Sequence, residues 1–147
     1  MKIGLFAGLI LCLALAVAGP SSAQIGRFDG HWVNTNTATR GLEAVDIHVN
    51  GTNVTVQGWG ACSPTPCDWG SVDGYAYATD VSSDLATTAD YVTAEFTKSF
   101  EVTLLTIRPQ GDDLFIVAFT RFTDSSGRTA YRETGTFHRE RHRHLTM

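Results

Sequence analysis

Residues 45–56 read VDIHVNGTNVTV and predict how the chain folds. Apolar and polar side chains alternate in the first half, which is the period of two of a β-strand with one buried face. The apolar face carries Val45, Ile47 and Val49, and the polar face carries Asp46 and His48. Asn50-Gly51 then supplies the positive φ angles that a two-residue hairpin turn needs. The alternation resumes at residue 54, so the stretch predicts an antiparallel hairpin.

The same period of two recurs along the chain after residue 29, and no ten-residue segment there has helical spacing. We predict strands that begin near Gly30, Val45, Val54, Tyr75, Val92, Phe100, Leu114 and Tyr131. In the sixth strand, the pattern places on one face Phe100, Val102 and Leu104. Residues 114–119 are apolar on both faces, which fits core on one side and a covered surface on the other. Residues 79–90 predict a long connection with room for one helical turn, which we expect to be a flexible flap.

The strand count and the short links predict an all-β fold. A flat meander of about eight strands would expose two unpaired edges, and closing the sheet removes them. We therefore predict an antiparallel up-and-down barrel of about eight strands, in preference to a sandwich. We expect one domain at residues 24–138, followed by a flexible basic tail at residues 139–147.

The first 23 residues predict export. Lys2 precedes an apolar run at residues 3–18, which Gly19-Pro20 ends before the small residues Ser21-Ser22-Ala23. This is the pattern of a cleaved signal peptide, and it predicts a secreted or periplasmic protein with no membrane span after cleavage. The alternative is an uncleaved N-terminal anchor, although the run is short for a membrane span.

Cleavage would remove Cys12 and leave two of the three cysteines, Cys62 and Cys67. Two cysteines in an oxidising compartment predict a disulfide. The loop that it closes is very short, so we expect it to hold a local shape and to stabilise the fold by only about 2 kcal/mol. The alternatives are a free pair of thiols and a redox site.

The charge of the chain excludes one class of partner. Fifteen acidic residues outnumber eleven basic ones, which argues against a nucleic acid or other polyanion as partner. The tail residues His138, His142 and His144 are spaced closely enough to share a metal. Arginines at positions 139, 141 and 143 would repel a divalent cation, so we predict no metal site and no cofactor.

Gly30-His31-Trp32 has the Gly-x-Trp form found at the first strand of lipocalins, and Trp32-Val33-Asn34 is similar to the opening strand of avidin-type barrels. Together with the strand count, these residues make the chain resemble the calycins, small secreted barrels that include lipocalins, avidins and bacterial metalloprotease inhibitors. The resemblance implies that an arginine of the last strand, Arg132 or Arg139, packs across Trp32 and helps seal the barrel. The second lipocalin signature and the biotin-binding pattern of avidins are not found, so the resemblance implies no ligand.

Aromatic residues cluster in sequence around the two cysteines. Trp59 and Trp69 flank the loop, and Tyr75 and Tyr77 follow it. Such rings at a barrel mouth, with His48 as a polar partner, predict the binding of a small apolar or sugar-like molecule. The alternative is that the rings plug the barrel and cover the disulfide.

Asp46, His48, Asp68 and Asp73 are candidates for a general acid or base, but nothing in the sequence fixes their separation. No catalytic motif is found, so no enzyme is predicted.

The alternative function is a protein-interaction module, such as a protease inhibitor, that presents the Cys62–Cys67 loop or residues 24–29 to an extracellular protein. A lumen below about 300 Å³ would favour this alternative over small-molecule binding. Asn50 and Asn53 each begin a glycosylation sequon, which matters only in a eukaryotic source. The oligomeric state stays open.

Overall fold

A computed structural model describes residues 24–140, and they form a closed barrel of eight antiparallel strands. The strands are β1 (Gly30–Asn34), β2 (Leu42–Asn50), β3 (Asn53–Gly60), β4 (Cys67–Tyr77), β5 (Tyr91–Thr97), β6 (Glu101–Gln110), β7 (Asp113–Phe122) and β8 (Tyr131–Arg139). The two short helical segments are a 3-10 helix at Gln24–Arg27 and α1 at Leu85–Thr88. The predicted all-β barrel is confirmed.

Each strand pairs with the next along the chain, and the last pairs with the first. Trp32 of β1 lies opposite Arg139 of β8, and this ladder closes the sheet. The β2–β3 hairpin turns at Gly51-Thr52, one residue later than predicted, because Asn50 still pairs with Asn53; Gly51 has a φ of 62°, whereas Asn50 does not have the positive φ that was expected. Closure leaves no free edge, which is the reason that an up-and-down barrel is preferred to an open meander.

The strand directions give the barrel two different ends. Four connections lie at the end that we call the mouth, namely residues 35–41, 61–66, 98–100 and 123–130. The opposite end, which we call the closed end, holds the 3-10 helix, two tight turns and residues 78–90. The two ends therefore differ in how much chain is available to cover the lumen.

A continuous apolar core fills the barrel toward the closed end. Its largest fully buried side chains are those of Trp32, Phe28 and Phe137, each at most 1% exposed. The indole Nε1 of Trp32 donates a hydrogen bond of 2.8 Å to the carbonyl oxygen of Phe28. This bond fixes the N-terminal segment to the first strand from inside the core.

Two segments that were expected to be mobile or displayed each contribute side chains to this core. The connection at residues 78–90 contains the helical turn α1, which Asp84 caps, but Ala89 is fully buried and Leu85 packs against the core. Val81 in the same connection is fully exposed, and the flap stays a prediction. In residues 24–29, Ile25 and Phe28 are buried beneath the barrel, whereas Arg27 is exposed.

The ordered barrel reaches slightly further than the predicted domain boundary at residue 138. Arg139 is the last residue of β8, and the backbone N–H of Glu140 donates to the carbonyl oxygen of His31 at 2.9 Å. These two residues therefore belong to the barrel and not to a flexible tail. The predicted signal peptide and the tail residues His142 and His144 lie outside the described residues. Within residues 24–140, no helix has the length and apolar character needed to cross a membrane.

Candidate functional site

The predicted disulfide is confirmed at the mouth. Cys62 and Cys67 are bonded, with their Cα atoms 5.5 Å apart. The residues between them are exposed, so the bond closes a small loop that projects from the end of the β3–β4 hairpin. We call residues 61–66 the stapled loop. A disulfide is typical of proteins that fold in an oxidising environment.

A β-bulge next to this loop decides where Trp69 points. Gln57 pairs with Ser71, whereas Trp59 pairs with Asp68, so β4 contains one extra residue between these pairs. Gly70 lies in the extra stretch with a φ of 84°, a conformation that favours glycine. Because one extra residue reverses the alternation of faces, Trp69 turns into the barrel.

Inside the mouth, the Trp69 ring packs closely against β3 and β5. Its edge meets Phe96, with ring centres 5.6 Å apart and planes at 73°. Beneath the ring lie Gly58 and Gly60, where an added Cβ would come within 2.9 Å and 2.5 Å of the indole, respectively. The two glycines therefore make the space that the indole occupies.

An open basin of about 410 Å³ lies above this packed layer. We call it the mouth basin, and its lining includes Gly60, Trp69, Phe100, Glu101, Thr103, Thr120, Tyr131 and Glu133. A neighbouring depression of about 310 Å³ shares Glu133 with it. Both are depressions open to solvent and not an enclosed lumen, so the limit of about 300 Å³ set for the lumen does not apply to them.

The mouth basin has polar groups among its aromatic ones. The hydroxyls of Thr103 and Thr120 are buried and lie 2.9 Å apart, one donating to the other. A carboxylate oxygen of Glu133 accepts a hydrogen bond of 3.0 Å from the backbone N–H of Leu42. These bonds hold hydroxyl and carboxylate oxygens in fixed positions beside the Trp69 ring.

Charges of both signs surround the mouth basin. Arg40 and Lys98 contribute positive charges, and Asp68, Glu101 and Glu133 contribute negative ones. The backbone N–H of Gly70 lowers the pKa of Asp68, and hydrogen bonding from Gln57 and the nearby Lys98 act in the same direction. This mixture of charges suits a neutral or dipolar ligand better than a strongly charged one.

Trp59 points to the outer surface of the barrel. Its Nε1 donates a hydrogen bond of 2.7 Å to one carboxylate oxygen of Asp46. The other oxygen of that carboxylate lies 2.6 Å from Nδ1 of His31. Although both tryptophans are close to the stapled loop in sequence, the sheet separates Trp59 from Trp69.

The other predicted ligand residues are also outside the lumen. Tyr75 and Tyr77 face solvent on β4, at 65% and 49% exposure. His48 is exposed toward the closed end, where its Nδ1 lies 3.6 Å from a carboxylate oxygen of Asp29. The structure thus does not bring the five predicted ligand residues together, and of these only Trp69 lines the mouth basin.

The carboxylates considered for acid or base chemistry do not converge either. Asp46 is bonded to Trp59 and His31 on the outer surface. Asp68 is at the mouth, and Asp73 is exposed on β4 opposite Thr55. Among the described residues, no group of three or more His, Cys, Asp or Glu side chains is placed to hold a metal ion.

The two arginines considered for sealing the barrel occupy different places. The guanidinium carbon of Arg139 lies 4.6 Å from the centre of the Trp32 ring. Arg132 lies near the mouth, opposite Phe119. Asn50 and Asn53 face each other across the exposed β2–β3 turn.

Most residues of the mouth basin were not among the predicted ligand residues, although for two of them, Thr120 and Glu133, the pattern contained a signal. Thr120 continues the inner row of β7, and Glu133 has the same alternation as Gly135 and Phe137 on β8. For β6, the predicted inner face was wrong. Buried Thr103, Leu105 and Ile107 line the lumen, and Val102 and Leu104 face outward.

Comparisons of the chain with protein families, curated proteins and solved structures find no match.

Proposed function

We propose that the protein is an extracytoplasmic binding barrel that holds a small, sugar-like ring in the mouth basin. One observation carries the proposal. The basin combines the Trp69 indole with fixed hydroxyl and carboxylate oxygens, above a core that is otherwise packed. An aromatic face beside polar groups is the arrangement that binds the apolar face and the polar edge of a sugar ring.

The packed core favours a sugar-like ligand over a long apolar one. Leu105, Ile107 and Phe137 fill the lumen toward the closed end and are at most 1% exposed. A hydrocarbon chain could therefore extend only into the neighbouring depression, whose apolar lining includes Leu42, Ile116 and Phe137. It would also cover the Thr103 and Thr120 hydroxyls and the Glu133 carboxylate without offering them hydrogen bonds, which costs free energy.

Two further features support placement outside the cytoplasm and a calycin-like relationship. The disulfide favours an oxidising compartment, in agreement with the predicted signal peptide. The contact of Arg139 with Trp32 agrees with the arginine that the resemblance implied. Secretion or periplasmic location, and membership of that superfamily, are part of this proposal.

The test is calorimetric titration with a panel of monosaccharides and their methyl glycosides, at up to about 10 mM so that sites with a Kd near 1 mM also fill. We expect at least one of them to bind, and Trp69→Phe to weaken that binding about fivefold or more, since weaker ring stacking costs about 1 kcal/mol or more. Trp59→Phe is the matched control and leaves the affinity unchanged. The proposal fails if no sugar binds or if Trp69→Phe has no effect.

A protein-interaction function is the second candidate, and the exposure of the stapled loop favours it. Residues 62–67 are all exposed and cyclised, so docking would order little additional chain. Residues 24–29 offer a smaller surface to a partner, because Ile25 and Phe28 are buried. Titration against a panel of extracellular proteases tests the loop. Protease inhibition that is weakened by Thr65→Ala would support this candidate, whether or not the protein also binds a sugar.

A further inference from the structure

A second concave surface lies on the outside of the barrel, on the other side of the sheet from the mouth basin. It has a volume of about 370 Å³ and is lined by residues from β1, β2, β3 and two mouth connections. We call it the outer cleft. Its apolar lining includes Val33, Ala44 and Pro66, and one wall is the indole of Trp59.

The Trp59 ring is held in place by a chain of hydrogen bonds. Asp46 accepts from Nε1 of Trp59 at 2.7 Å and contacts His31 Nδ1 at 2.6 Å. Because the indole N–H already donates this hydrogen bond to Asp46, only the π surface of the ring is available to a ligand. A hydrogen bond to an anionic acceptor also increases the electron density of the ring, which strengthens its attraction for a cation.

Three carboxylates lie at or near the outer cleft, whose lining also includes His31. Glu43 lines the cleft, Asp46 lies behind the indole, and Glu140 Oε2 is 3.8 Å from His31 Nε2. Among the described residues that line the cleft, none is a lysine or an arginine. An anionic ligand would therefore meet repulsion, and a cationic one would meet a carboxylate beside an aromatic face.

We propose that the outer cleft binds a small organic cation, with an alkylated ammonium group over the Trp59 ring and the Glu43 carboxylate as its counter-ion. A cation is attracted to the face of an indole more strongly than to any other aromatic side chain. Val33, Ala44 and Pro66 contact the alkyl groups. The site is separate from the mouth basin and does not depend on the function proposed there.

The test compares choline with its uncharged isostere 3,3-dimethylbutan-1-ol, by calorimetry and by tryptophan fluorescence. The two molecules have nearly the same shape, so a difference in affinity reports the charge. We expect choline to bind about tenfold or more tightly than the alcohol, as the strength of a cation–π contact requires. Equal affinities, or no choline binding up to about 10 mM, would overturn the proposal.

Variants locate the site. Trp59→Phe and Glu43→Gln are each expected to weaken choline binding about fivefold or more. Trp69→Phe and Glu101→Gln, which alter the mouth basin, are the matched controls and leave it unchanged. Circular dichroism and thermal unfolding establish that each variant is folded. If Trp59→Phe binds choline with the same affinity as the parent protein does, the cation binds elsewhere and the assignment of the site to the outer cleft is wrong.

The outcomes for the two sites are separable. If the protein binds choline but no sugar, the proposal for the outer cleft is supported and the function proposed for the mouth basin is overturned. If it binds a sugar but not choline, the proposal for the outer cleft is overturned and the function proposed for the mouth basin is supported. Competition between choline and a sugar would contradict the separation of the sites by the sheet.

Discussion

Arg139 lies across Trp32 at the closed end, with its guanidinium carbon 4.6 Å from the ring centre. The same guanidinium donates a hydrogen bond of 2.7 Å from Nη2 to the carbonyl oxygen of Arg27. Trp32 in turn donates to Phe28. The last strand, the first strand and the N-terminal segment are therefore joined at one point, where the sheet also closes.

Replacing Arg139 with alanine is expected to lower the free energy of unfolding by about 1 to 2 kcal/mol, since it removes a cation–π contact and a hydrogen bond. Urea unfolding followed by circular dichroism measures the change. Arg132→Ala is the matched control on the same strand and should stay within about 0.5 kcal/mol of the parent. Equal effects of the two changes would contradict a special role for Arg139.

Gly60→Ala tests the inward position of Trp69. The added Cβ would meet the indole Nε1 at 2.5 Å, so the ring has to move. We expect a loss of about 1 to 3 kcal/mol in unfolding free energy and a red shift of tryptophan emission as the ring becomes hydrated. Gly26→Ala is the control, because no atom lies within 4 Å of its Cβ position. An unchanged spectrum in Gly60→Ala would show that Trp69 is elsewhere.

Asp68, close to the stapled loop, makes the stability of the fold depend on pH. The N–H of Gly70 lowers the pKa of Asp68 below the ordinary value of 3.8, and Gln57 adds to this effect. A carboxylate with a lowered pKa in the folded state stabilises the fold above its unfolded pKa, and this contribution is lost as the pH falls through the folded pKa. Asp68→Asn should therefore be less stable than the parent at neutral pH, with the difference disappearing in acid below 3.8.

The midpoint for Asp68 is measured directly by carboxyl ¹³C NMR titration. We expect it below 3.8 in the parent and closer to that value in Gln57→Ala, which lacks the second hydrogen bond. A midpoint above 3.8 in the parent would contradict this account.

The Cys62–Cys67 bond is expected to shape the stapled loop without being essential to the fold. The Cys62→Ser, Cys67→Ser double variant should lose about 2 kcal/mol of unfolding free energy, the value for so short a loop. Its far-ultraviolet spectrum should match that of the parent. An unfolded double variant would mean that the barrel depends on the bond much more than its loop length implies.

Much of the barrel could be predicted from the sequence because the relevant signals are local. In β2 and β3, alternating valines and isoleucine fix the buried face, and the Asn-Gly pair marks the turn to within one residue, since its centre is Gly51-Thr52. Such a pattern needs no knowledge of distant contacts. The same local reasoning also identified the cysteines, which are now seen to be bonded.

The faces of two strands could not be predicted in the same way. In β4, the bulge at Gly70 reverses the alternation, so Trp69 is inside while Tyr75 and Tyr77 are outside. A glycine within a strand is a signal for a bulge, but it does not say which side chains turn inward. In β6, Leu104 and Leu105 are adjacent, so the sequence is compatible with either face being buried. In the structure, the face that carries Thr103 and Leu105 lines the lumen, where the Thr103 hydroxyl is hydrogen-bonded to that of Thr120.

The most direct test of the central claim, that Trp69 lines a ligand site inside the mouth, follows the three indole N–H signals in ¹H–¹⁵N correlation spectra during a sugar titration. Signals assigned through Trp32→Phe, Trp59→Phe and Trp69→Phe would distinguish the closed end, the outer surface and the mouth. We predict that the binding sugar shifts the Trp69 signal most and leaves the Trp32 signal unchanged. A bound sugar that shifts only the Trp59 or Trp32 signal would contradict the account.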